Sequence, residues 1–143
     1  MKLTAFEMHW LLAILATIYP SNAHPRLKTG AADTPVQHFF ADVFATAPWL
    51  PLLGIRAAIW VITFCPLLVI GRFSRFHKLP EPDRLRVIET LGHSNLYPVR
   101  EMPMLIKTIG GMGFASMPDV QKQIGVDVAV DMPTWAQRSE VRA

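Results

Sequence analysis

Cysteine is nearly absent from this 143-residue sequence: Cys65 stands alone, so neither an intramolecular disulfide nor a cysteine metal cluster can be built from the chain. Lying inside an apolar run, it reads as a small packing residue. Charge is scarce too, with 17% charged against 51% apolar residues, a balance that leans towards a membrane protein. The five histidines, His9, His24, His38, His77 and His93, include no pair three or four residues apart, which removes the usual helical metal pair. No serine elbow, histidine-flanked cysteine or close carboxylate pair in an apolar setting is present. The glycine-rich GGMGFAS from Gly110 follows a predicted helix where a phosphate loop would follow a strand, and it lacks the loop's lysine. Basic residues are too few outside one cluster for a nucleic-acid surface.

What the sequence does contain is one long apolar run, PWLPLLGIRAAIWVITFCPLLVIG, from Pro48 to Gly71, broken only by Arg56. At about 1.5 Å per residue, a helix of this length matches a hydrocarbon layer of ~30 Å, and the run shows no polar stripe. The expectation is a transmembrane helix over 48–71, with Trp49 near one end and Phe73 and Phe76 near the other as interfacial anchors. Arg56, about two turns inside, must snorkel towards the Pro48 side or meet a carboxylate or cofactor group of another subunit. Pro66 removes a helix hydrogen bond and is expected to kink the second half.

The cationic excess has one address. Residues 1–71 carry four basic and three acidic groups and residues 79–143 carry seven and eight, so the net +3 sits on Arg72, Arg75 and Lys78. This stop-like cluster suits anionic lipid headgroups and places the C-terminal region on the cytoplasmic side. Residues 1–23 hold a second apolar run, from Trp10 to Tyr19, which reads either as a signal-like segment ending near Ala23 or as a second membrane helix. The retained anchor is the reading adopted, with Glu7 and His9 near one interface. Residues 24–47, expected on the outer side, form a polar link and an amphipathic stretch, in which Val36, Phe39, Phe40, Val43 and Phe44 share a face that suits a membrane surface or a partner.

In the cytoplasmic region, 72–143, three helices are expected. One starts near Pro82 and Asp83 and ends at Gly92; a second runs from about Pro98 to a Gly110-Gly111 breaker; a third spans Pro118–Ile124 before Gly125, followed by an extended tail containing Trp135. Three short helices bury little, so this region is expected to lean on a partner or on the membrane. The fold class expected is therefore mainly α, with one transmembrane helix, a possible second, and a small helical cytoplasmic region.

The order Phe76, Leu79-Pro80, Arg84, Leu91, Ser94, Arg100, Lys107, Pro118, Val120 and Ile124-Gly125 resembles a short helical segment accompanying flavin-dependent dehydrogenases of the glucose-methanol-choline type. The resemblance covers about a third of the chain and carries no catalytic motif; Ala115-Ser116-Met117 replaces an aromatic that the pattern would place before the proline. It implies a small accessory or membrane-anchoring subunit beside a flavoprotein, with no flavin site of its own. The expected function is thus a non-catalytic subunit, without cofactor, that anchors or stabilises a larger redox or energy-converting complex in a bacterial inner (plasma) membrane. The alternatives are a membrane enzyme or carrier using Arg56, His77 or His93 between the span and the cytoplasmic helices, and a lipid-binding adaptor using Arg72, Arg75 and Lys78.

Overall fold

The computed structural model describes residues 2–126, and the expected tail with Trp135 lies outside them. Seven α-helices and two 3-10 turns carry these residues, and no strand occurs among them. The mainly helical class is as expected.

Helix α1 (Ala5–Ile18) begins on a capping box: the Thr4 hydroxyl accepts from the Glu7 N–H while the Glu7 carboxylate reaches back to the Thr4 N–H. Its remaining faces are almost uniformly apolar, the pattern of a helix with more than one packing neighbour. Leu11, Ile14 and Leu15 are fully buried. The segment expected to be an anchor is the central helix of the bundle, touching α3 (Trp49–Phe64), α5 (Glu81–Gly92), α6 (Tyr97–Ala115) and the 3-10 turns at Ala31–Asp33 and Phe76–Lys78.

The run expected as one helix over 48–71 is divided. Helix α3 stops at Phe64, and α4 (Pro66–Ile70) starts on the Cys65 carbonyl, which accepts from Leu68 and Val69. The cause is Pro66, which has no N–H to offer the Ile62 carbonyl. The Cys65 thiol donates to that carbonyl instead, at 3.4 Å. Gly71 then closes α4 in the left-handed conformation, φ 66°, where a side chain would be strained. Among the described residues no helix is long and apolar enough to cross a membrane.

Helix α2 (Val36–Thr46) turns Val36, Phe40 and Phe44 inward, with Phe39 and Val43 beside them, and packs on α6 of its own chain. Helix α5 ends at Gly92, and α7 (Pro118–Ile124) ends at Gly125, as the caps predict. The expected break at Gly110-Gly111 is absent, because α6 continues to Ala115. These glycines provide close approach: a Cβ on Gly110 would strike the Leu15 side chain, and one on Gly113 the Phe39 ring.

The C-terminal helices lean on α1 and α3 and share one core with them. The link and the C-terminal region are tied together as well, since the Lys28 and Thr29 N–H groups donate to the Gln123 side-chain carbonyl at 2.9 and 3.2 Å. Segments expected on opposite sides of a bilayer therefore pack against each other.

Candidate functional site

Arg56 and Glu7, the one charged residue in each of α3 and α1 that falls among apolar neighbours, meet between the two helices. Arg56 Nε donates to Glu7 Oε1 and Nη2 to Oε2, both at 2.6 Å. This bidentate fork is the geometry in which arginine and carboxylate bind most strongly. Trp60 Nε1, one turn further along α3, donates to Oε1 at 2.8 Å, and the Thr4 backbone and hydroxyl both donate to Oε2 at 2.8 Å. Glu7 is 1% exposed, so these bonds offset the cost of taking its charge out of water. The Arg56 guanidinium, ahead of the Thr4 and Trp60 donors, holds the Glu7 carboxyl well below the usual range against the opposing effect of burial.

A second group adjoins this seam. Trp10 of α1 packs edge-on to Trp60 and Phe64 of α3, with ring centroids 5.3 and 5.6 Å apart. Arg75 lies over the Trp10 and Phe64 rings at 6.0 and 5.7 Å. The 3-10 turn Phe76–Lys78 inserts Phe76 into the core and brings the His77 ring within 5.2 Å of His9, partly stacked on Trp10. Burial, and then the nearby charges of His9, Lys78 and Arg75, keep the His77 imidazole below its ordinary pKa.

Of the basic cluster, Arg72 pairs with Asp83 at 2.9 Å, Arg75 rests on the aromatic rings, and Lys78 ends the 3-10 turn in solvent. His93 sits elsewhere, capping α5 through Nδ1 against the Glu89 carbonyl at 2.7 Å. His77 thus adjoins the Arg56 seam through Trp10, and His93 does not join them. Among the described residues no group of three or more histidine, cysteine, aspartate or glutamate side chains is placed to hold a metal. A cleft of about 340 Å³ opens between α1, α5 and α6, floored by Ile18, Leu85, Ile88 and Met104 and rimmed by Arg100 and Lys107.

The most extended feature is a surface. Leu50, Leu53, Ala57, Val61, Phe64 and Leu68 recur at spacings of three and four, and all are exposed. They form one outward stripe along α3 and α4, opposite the inward row Leu52, Ile55, Ile59 and Ile62. Trp49 stands exposed at its start and Phe73 at its end. The sequence contained the signals for the stripe and the basic end. It gave less warning of the Glu7 pairing, for which the only hint was one acid and one base in two otherwise apolar runs.

No family model, curated protein or solved structure matches the chain.

Proposed function

We propose that the chain is a small non-catalytic subunit that attaches a larger complex to a membrane, the cytoplasmic face of a bacterial inner membrane being the setting. The observation that carries this reading is the outward apolar face of α3 and α4, whose side chains stay exposed among the described residues. Leu96, Tyr97, Met104 and Met112 are exposed on and beside α6, giving the complex a second apolar surface to grip. These residues fall within the stretch that resembles the accessory segment of glucose-methanol-choline-type dehydrogenases, so a membrane-attached flavin dehydrogenase is the complex to look for.

The test is to solubilise native membranes in mild detergent and isolate the chain through an affinity tag. The expected result is stoichiometric copurification with a larger oxidoreductase, its flavin spectrum belonging to the partner. A chain that emerges from the membrane alone would end the subunit reading.

A further inference from the structure

The outward stripe is charge-free and runs about 21 Å along α3, from Leu50 to Phe64 at the helical rise, with Leu68 carrying it onto α4. Its side chains offer no polar group to a partner: the members are aliphatic or phenyl, and the neighbouring Trp60 indole already donates to Glu7. A specific protein interface of this length would carry roughly one hydrogen bond per 100–200 Å². Hydrocarbon asks for none.

Both ends carry side chains suited to a bilayer interface, with Trp49 at one and Phe73, Arg75 and Lys78 at the other. At the second end a recess of about 220 Å³ is lined by Phe64, Leu67, Phe73, Ser74 and Arg75. An apolar wall, a hydroxyl and a guanidinium are the parts that a phosphate bearing an acyl chain would use. Among the described residues, Asp83 is the one acid paired with the cluster and it is taken by Arg72, so no ion pair there holds Arg75 or Lys78.

Resting on the membrane-attachment reading above, we infer that α3 and α4 dock lengthwise on an anionic lipid surface. The stripe enters the acyl boundary, and Arg75 and Lys78 engage phosphate headgroups. The inward half of α3 is fixed to α1 and α6, so the helix lies along the surface with one face immersed, in the manner of interfacial amphipathic helices.

The test is flotation of the full-length chain with vesicles of phosphatidylcholine alone or containing one-third phosphatidylglycerol. The wild-type chain is expected to float with the anionic vesicles in preference to the neutral ones. Lys78→Gln should weaken anionic binding about fivefold and leave neutral binding unchanged. Leu68 and Phe73 are 88% and 93% exposed, so the double substitution Leu68→Glu, Phe73→Glu should abolish flotation with the helical circular dichroism intact. Wild-type protein that ignores both vesicle types, or variants that float as well as it does, would overturn the inference. A chain that ignores vesicles but copurifies with a membrane complex keeps the subunit reading and makes the stripe a protein interface. One that floats but copurifies with nothing keeps the lipid surface and sinks the subunit.

Discussion

Glu7 accepts five hydrogen bonds from three residues, two of them from one guanidinium. A carboxylate held this way is more acidic folded than unfolded, where its pKa is near the ordinary glutamate value of 4.5. Its contribution to stability is therefore complete above that value and declines as pH falls towards the folded one. Glu7→Gln keeps the side-chain shape and removes the charge opposite Arg56. Near neutral pH it should cost about 2 kcal/mol, below the ~3–5 of a fully enclosed pair because the guanidinium side chain is 28% exposed. Urea midpoints near neutrality and near pH 3 will check this, since the gap between the wild-type and variant chains should narrow in acid. A gap independent of pH would mean that packing, and not charge, is what Glu7 supplies.

The facing helices α6 and α3 hold glycines in different surroundings. At Gly110 the missing Cβ admits the fully buried Leu15 side chain. At Gly54 on the facing helix, by contrast, an added Cβ would meet only Leu105 Cδ2, at an ordinary 3.8 Å. Alanine is worth about 1 kcal/mol over glycine in a helix interior, and overpacking a core costs about 1–3 kcal/mol. Gly54→Ala should therefore raise the thermal midpoint and Gly110→Ala lower it. Equal shifts in one direction would show that the Leu15 contact relaxes freely. The boundaries of α5 and α7 were legible because Pro82, Gly92, Pro118 and Gly125 act on their own helix ends. Gly110-Gly111 was not, because a glycine that ends a helix and one that admits a neighbour look alike until the neighbour is known.

For the molecule as a whole, α1 decides whether there is a core. Trp10, Leu11, Ile14 and Leu15 are all buried, and each is worth roughly 1.5–3 kcal/mol on burial. Their sum is comparable with the ~5–15 kcal/mol that separates a folded domain from its unfolded chain. A chain shortened to begin at Ala23 should lose cooperative thermal unfolding by circular dichroism. Retention of a sharp transition would show that α3, α5 and α6 close on one another unaided. Apolar length could not distinguish α1, which packs against α3, α5 and α6, from α3, which leaves one apolar face outward, since both runs satisfy the same composition. The basic end, in contrast, was visible from charge counting alone.

The Glu7–Arg56 pair also governs how the molecule meets a charged object at a distance. Because the two charges cancel inside the seam, the stripe-bearing α3 is close to electrically silent, and Arg75 and Lys78 beyond Gly71 are the cations at its far end. On the proposed lipid docking, a field from an anionic surface, felt over about a Debye length of 8–10 Å, would exert a torque that swings this corner inward before any apolar contact formed. Orientation would precede adhesion, and salt would slow the landing more than it loosened the grip.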